Sequence, residues 1–191
     1  MMRIITGTAK GKKLATLDGN ETRPTSERIK GAIFSSIQFD IENRRVLDLF
    51  AGSGQMGLEA LSRGAERATF IDSSREAMEI VKKNAHDTGF FDKSHFLVSD
   101  YRNYIRKASG KEKYDLVFID PPYAMQCCVE SARLLAKNGL LLEGAIVCLE
   151  SGEEVIDTES RELAGFDVIK STCYGKKSAV TILLYRGEDE E

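Results

Sequence analysis

The chain has 191 residues, is 42% hydrophobic and 30% charged, and carries a formal net charge of −3, which are the proportions of one soluble domain with its own core and a small appendage. No apolar run approaches the ~18 residues that a membrane span needs, and the start, MMRIITGTAKGKK, lacks the apolar stretch of a secretory signal, so the expected location is the cytoplasm. The acidic balance argues against a protein that coats nucleic acid, yet residues 1–30 carry seven Lys or Arg against three Asp or Glu, a local +4 that permits phosphate binding.

Residues 1–15 alternate weakly around a connection bearing Gly and Lys, which predicts a short hairpin. LDGNETRPT (17–25) is rich in turn formers, and Ser26 is then expected to cap a helix whose face is built from Ile29, Ala32, Ile33 and Ile37. From Arg45 the pattern becomes strand, helix, strand, helix. RVLDLF (45–50), ATFID (68–72), HFLVSD (95–100), YDLVFID (114–120) and AIVCLE (145–150) read as strands, with helices expected near 56–63, 74–85, 101–108 and 127–138. Continuous apolar strands separated by helices imply a mostly parallel sheet covered on both faces. The rhythm changes at the end, where FDVIKSTCY (166–174) and AVTILLY (179–185) flank GKKS and predict an antiparallel hairpin.

The expected architecture is therefore α/β, a doubly wound and mostly parallel sheet with an antiparallel C-terminal hairpin. Its expected divisions are an N-terminal hairpin-and-helix extension over 1–40, a main domain over 41–186 and a disordered acidic tail over 187–191. Cys127, Cys128, Cys148 and Cys173 contain no C-x-x-C pair, and His86 and His95 lie far from them in sequence. Reduced thiols are expected, and no metal site.

Two stretches carry chemistry. In DLFAGSGQMGLEA (48–60), Gly52, Gly54 and Gly57 fit G-x-G-x-x-G between a strand and a helix, and Asp72 ends the next strand twenty residues after Gly52. Such glycines allow a tight turn and close approach of a ligand to main-chain N–H groups, while the acid is placed for ribose hydroxyls. Taken alone, this fits a nicotinamide or flavin site, or a turn that holds nothing. Asp48 tilts the choice. An acid inside a buried strand needs hydrogen bonds or a cation beside it, and S-adenosylmethionine brings an ammonium and a sulfonium where a pyrophosphate would be repelled. Asp100, at the end of the third strand, suits an adenine amino group and a helix N-cap equally well.

The second stretch is Asp120-Pro121-Pro122-Tyr123, at the carboxyl end of the fourth strand, where open α/β sheets bind ligands. The lone pair of an exocyclic base amine is delocalised into the ring. Two rigid acceptors, the Asp120 carboxylate and the Pro121 carbonyl, would hold its hydrogens and draw that lone pair toward an incoming methyl. Tyr123 offers a stacking surface for an extruded base.

DLFAGSG followed by DPPY resembles the amino-methyltransferases that use S-adenosylmethionine, whose fold is the Rossmann-like class I sheet of seven strands. A fuller match, MRIITGTAKGKKL (2–14), TRPTSERIKGAIF (22–34), VLDLFAGSGQMGLEALSRGA (46–65), DPPY and YGKKSAVTILLY (174–185), is similar to the RsmD-type family, which methylates guanine N2 in small-subunit (16S) ribosomal RNA. The resemblance implies cofactor contacts from Asp48, Phe50, Ala51, Gly52, Ser53, Gly54, Met56, Gly57, Asp72, Ser73, Asp100 and Tyr101. It implies base and amine recognition at Asp120, Pro121, Pro122 and Tyr123. It further implies that Arg3, Lys10, Lys12, Arg23, Thr25 and Arg28 face RNA or border the cofactor pocket. At IDSS (71–74) the chain departs from such proteins, which often carry another charged residue just past the strand-ending acid. The expected partner is small-subunit ribosomal RNA or the assembling small subunit, and a monomer is the expected state. The rival readings are an adenine-N6 methyltransferase of DNA or RNA, a nucleotide-binding module without methyl transfer, and an RNA-binding scaffold without catalysis.

Overall fold

Parallel strands must be linked by crossovers, and the chain supplies a helix at each one. The computed structural model describes residues 2–17, 24–152, 154–175 and 178–187, with backbone only at 24–26 and Tyr123. The helices are α1 (Pro24–Ser36), α2 (Gln55–Ser62), α3 (Arg75–Thr88), α4 (Tyr101–Ala108) and α5 (Cys128–Lys137). The strands are β1 (Arg45–Asp48), β2 (Arg67–Asp72), β3 (Ser94–Val98), β4 (Tyr114–Ile119), β5 (Leu141–Ser151), β6 (Phe166–Cys173) and β7 (Ala179–Tyr185). They form one sheet in the order β3-β2-β1-β4-β5-β7-β6, parallel except for β7, which runs antiparallel to both of its neighbours. The expected doubly wound sheet and C-terminal hairpin are both present.

Alternation along the central strands creates two cores. Val46, Phe70, Leu116 and Phe118 face one layer with α1, α2 and α3, while Leu47, Ile71, Val117 and Ile119 face the other with α4 and α5. On the first side Phe34 of α1 packs on Phe118, ring centroids 5.4 Å apart, so the helix preceding the sheet is seated on β4 near its carboxyl end.

Two local expectations need correction. Helix α1 begins at Pro24, which puts Ser26 inside the first turn rather than at the cap; proline's fixed φ and missing N–H suit that first position. The N-terminal hairpin is a single bridge, Arg3 to Lys13, with Ile4 N donating to Lys12 O and Leu14 N to Met2 O. It does not lengthen because α2 takes its donors. Ile5 N and Thr6 N donate to the Glu59 carboxylate at 2.7 and 3.0 Å, and Ala9 N donates to Ser62 Oγ at 3.0 Å. Gly7, at φ 87°, lies so close to this helix that a Cβ would fall 1.7 Å from the Ser62 carbonyl oxygen.

Glu59 is fully buried and Lys30, 3.6 Å away, is 1% exposed. The Lys30 ammonium also donates to Arg3 O at 2.8 Å, and Arg63 Nε donates to Glu59 Oε1 at 2.8 Å. Burial lowers the Lys30 pKa, and the Glu59 charge works against that shift. One carboxylate thus joins the N-terminal segment, α1 and α2. Replacing Glu59 by Ala leaves a buried cation and two backbone donors unmatched, so it should destabilise the fold by about 3–5 kcal/mol. Denaturant unfolding checks this, and a loss below about 1 kcal/mol would show that the segment is held by other means.

Candidate active site

The sheet order reverses between β1 and β4, and the crevice at their carboxyl ends is where such sheets accept ligands. Register brings the key residues there together: Asp48 stands opposite Phe118, and Leu49 N continues the ladder by donating to Phe118 O at 3.1 Å. Asp120 lies just past that pairing, so the carboxylates from the ends of β1 and β4 share one crevice with Asp72 of β2.

Hydrogen bonds fix the loop after β1. Ala51 N donates to Ile71 O at 2.8 Å, and Gly52 N donates to Asp72 Oδ2 at 2.9 Å. Gly57 N, in the first turn of α2, donates to Asp48 Oδ2 at 3.0 Å. The three glycines have different duties. Gly52, at φ 55°, would meet nothing with an added Cβ, so its surface is open to a ligand. A Cβ on Gly54 would sit 2.9 Å from Val81 Cγ1, and one on Gly57 would sit 2.4 Å from the Phe70 ring, so those two glycines let α2 pack closely.

The electrostatics are unusual for a crevice built to hold phosphate. Desolvation pushes Asp48 up to about 8, the Gly57 N–H partly offsets that, and the charges of Asp120 and Asp72 add to it. Desolvation likewise raises Asp120 to about 7. Two carboxyls that stay protonated to near neutrality mark a site short of positive charge. A ligand bearing an ammonium and a sulfonium would supply it, and a pyrophosphate would worsen the deficit.

The other sequence candidates divide. Asp72 is half-buried; its Oδ1 accepts from Ser74 N at 2.8 Å while Oδ2 holds Gly52. Asp100 caps α4, Oδ1 accepting from Arg102 N and Asn103 N at 3.0 and 3.3 Å. Phe50 and Ser53 are half-buried at the loop and Ser73 is exposed, whereas Ala51, Met56 and Tyr101 are buried. The Tyr101 ring packs against Phe50 at 5.2 Å and its hydroxyl donates to Glu130 Oε2 at 2.9 Å. In the turn after β4, Pro121 is buried, Pro122 is exposed, and Tyr123–Met125 form one 3₁₀ turn closed by Met125 N donating to Pro122 O at 2.8 Å. Gln126 follows at φ 42°, a left-handed conformation uncommon for a residue with a side chain.

Arg3 and Lys10, with Glu27, line a cavity of about 310 Å³ in the N-terminal segment, and Arg28 is exposed. Lys12 Nζ donates to Asp87 O at 2.8 Å, tying it to α3. Arg23 and the acidic tail 188–191 lie outside the described residues, as do the side chains of Thr25 and Tyr123. Among the described residues no helix is long and apolar enough to cross a membrane, and no group of three or more His, Cys, Asp or Glu could hold a metal ion.

Two further supports were not anticipated. Asn84 on α3 is fully buried and donates to both Ser53 O (2.8 Å) and Ala15 O (2.9 Å) while accepting from Ala15 N (2.8 Å), which staples the N-terminal segment to the glycine loop. An Asn on the otherwise apolar face of Ala77, Met78, Val81 and Ala85 was the available signal. Glu154 accepts from Cys128 N at 2.9 Å and Val129 N at 3.2 Å, capping α5 from a distant loop. No motif marks it.

This sheet order, with the glycine loop and the Asp48 and Asp120 carboxyls gathered where the strand order reverses, fits the S-adenosylmethionine-dependent methyltransferases, and the comparisons with known proteins agree. The family model described as "Conserved hypothetical protein 95" matches residues 2–183. The chain is 35% identical to ribosomal RNA small subunit methyltransferase D of Escherichia coli, over 80% of this chain and 76% of that one. It is 30% identical to the Haemophilus influenzae protein of the same name, over 80% of each. The solved structure of yhhF from Escherichia coli superposes with a TM-score of 0.84 at 29% identity, covering 98% of this chain and 99% of that one. The chain belongs to this family, the RsmD-type methyltransferases that its sequence resembles.

The raised carboxyls have a measurable consequence. Folded, they hold protons to about 7 and 8, whereas in the unfolded chain they ionise near 3.8, so the stability they contribute is complete below about 3.8, falls steadily as pH rises above it, and is fully lost once pH has passed through 7 to 8. Asp48→Asn mimics the protonated form at every pH. Without ligand, the variant should gain thermal stability relative to wild type steadily between pH 5 and pH 8, read by parallel melts; a constant difference would show that Asp48 ionises normally.

Proposed function

We propose that the protein transfers a methyl group from S-adenosylmethionine to the exocyclic N2 of a guanine in small-subunit ribosomal RNA, acting in the cytoplasm as a monomer. The observation that carries the reading is the Asp120-Pro121-Pro122-Tyr123 turn set across the β1–β4 switch point from Asp48. The relatives named ribosomal RNA small subunit methyltransferase D support the choice of RNA, and so does the +4 balance of residues 1–30.

In this reading, bound S-adenosylmethionine supplies an electrophilic methyl on sulfur. Asp48 faces its positive end, and Gly52 allows its close approach to the loop. Each Asp72 oxygen accepts one backbone N–H and keeps a lone pair for a ribose hydroxyl. Asp100 caps α4 through Oδ1 alone among the described residues, which leaves Oδ2 for the adenine amino group.

The substrate amine is held by acceptors that do not reorganise. Asp120 and the Pro121 carbonyl take its two N–H groups, so the nitrogen lone pair points out of the ring plane toward the methyl. As the N–C bond forms and the S–C bond breaks, the amine becomes cationic. Asp120, with its pKa near neutrality, receives the released proton or passes it to solvent. Tyr123 supplies the stacking face for the flipped guanine. Arg3, Lys10, Lys12, Arg23, Thr25 and Arg28 belong to an extension over 1–40 whose residues face RNA or border the cofactor pocket. Residues 41–186 form the methyltransferase domain, and the acidic stretch 187–191 follows it in the sequence.

Asp120→Ala should lower turnover by roughly a hundredfold or more, the scale of losing a positioned proton acceptor, with S-adenosylmethionine affinity within about threefold of wild type by calorimetry. Loss of cofactor binding in that variant would reassign Asp120 to the cofactor. Nucleoside digestion of RNA methylated by the wild type should yield N2-methylguanosine; N6-methyladenosine would make the amine an adenine's.

A further inference from the structure

We infer that the loop after β5 is a second wall of the RNA site, on which Val155 contacts a nucleobase next to the target. This rests on the proposed role of the 120–123 turn as the target-base site. Helix α5 begins where that turn ends, and the side chain of Cys127 at its N-cap does not cap the helix. Glu154 replaces the cap, both carboxylate oxygens accepting from the first two N–H groups of the helix. These two bonds hold the segment beyond Ser151, the last residue of β5, at the start of α5, which directly follows the 120–126 turn in the chain.

Ile156 is the second anchor, packing against the core beneath α5. Val155 stands between the two anchored residues and is 91% exposed. Neighbouring side chains in extended backbone alternate in direction, so anchoring 154 and 156 projects 155 outward. On the turn side of the same helix start, Met125 is 43% exposed. Two apolar side chains thus flank the first residues of α5 at the carboxyl edge of the sheet, on segments that are pinned.

Charge selects which part of the RNA meets this wall. Glu154 occupies the two N–H groups at the start of α5 that could otherwise receive a phosphate, and the Arg102 guanidinium beside them is already paired with Glu130. The cations of residues 1–30 lie on the N-terminal segment instead, so the backbone runs along that segment and bases turn toward Met125 and Val155. An apolar contact to a base face needs no particular sequence, because every base has one.

The test compares Val155→Ser with Phe39→Ser, whose side chain is also 91% exposed but lies beyond α1. With small-subunit rRNA and labelled cofactor, Val155→Ser should raise the KM for RNA about fivefold, the lower end of a base-stacking loss, leaving kcat, S-adenosylmethionine affinity and melting temperature at wild-type values. Phe39→Ser should leave the KM for RNA unchanged. Glu154→Ala, which removes both bonds to α5, should raise the KM similarly, and adding Val155→Ser to it should cause little further loss because the two act as a unit. A Val155→Ser KM within about twofold of wild type, or an equal rise in Phe39→Ser, overturns the inference. If those results come with an active wild type and an inactive Asp120→Ala variant, the inference falls and the proposed function stands. A wild type that transfers no methyl to small-subunit rRNA overturns both.

Discussion

Two carboxyl groups compete for one poorly solvated crevice, and much of the molecule exists to hold them there. Asp48 reaches it from β1 and Asp120 from the end of β4, because the sheet order reverses between those strands and the parallel register aligns their carboxyl ends. Neither group can ionise cheaply while the other is charged, so the crevice is selective before any ligand arrives. A cation relieves it and a phosphate does not. That single property separates this glycine loop from the dinucleotide sites whose spacing it shares.

The other buried acid provides a contrast. Glu59 is as deeply buried as Asp48, yet it meets two backbone N–H groups, Arg63 and Lys30. A buried charge with a complete set of partners fixes structure, and here it fixes the N-terminal segment and α1 to α2. A buried acid without a cation beside it is poised for something that is added later. Asn84 connects the two regions through Ser53 and Ala15, so the glycine loop, the segment proposed to face RNA and the helix under both behave as one packed unit. At the opposite side Glu154 and Glu130 hold α5: the first caps it, and the second accepts a bidentate pair of bonds from Arg102 on α4 at 2.9 and 2.7 Å.

Much of this was legible in the sequence because it follows from local rules. Apolar runs such as VLDLF and DLVFI specify buried parallel strands, and the fall to alternation after Phe166 marks the hairpin. The glycine loop and the DPPY turn were readable because few alternatives place those residues after strands. What could not be read depends on partners distant in sequence. The hairpin at residues 2–14 stays a single bridge because Glu59 and Ser62 take its N–H groups. Gly54 and Gly57 look like ligand glycines until Val81 and Phe70 are seen against them. The cap on α5 comes from Glu154, twenty-six residues beyond Cys128. For Asp100 the cap is present, and the free geometry of its second oxygen keeps the adenine role open to experiment.

The most direct test of the central claim is calorimetric. Titrating S-adenosylmethionine into the protein near pH 7, in buffers of different ionisation enthalpy, counts the protons that leave on binding. The cation should drive Asp48 to ionise, so binding should release protons, and Asp48→Asn should abolish the release while NAD produces no comparable heat. Binding without proton release in the wild type, or tighter binding of NAD than of S-adenosylmethionine, would contradict the account.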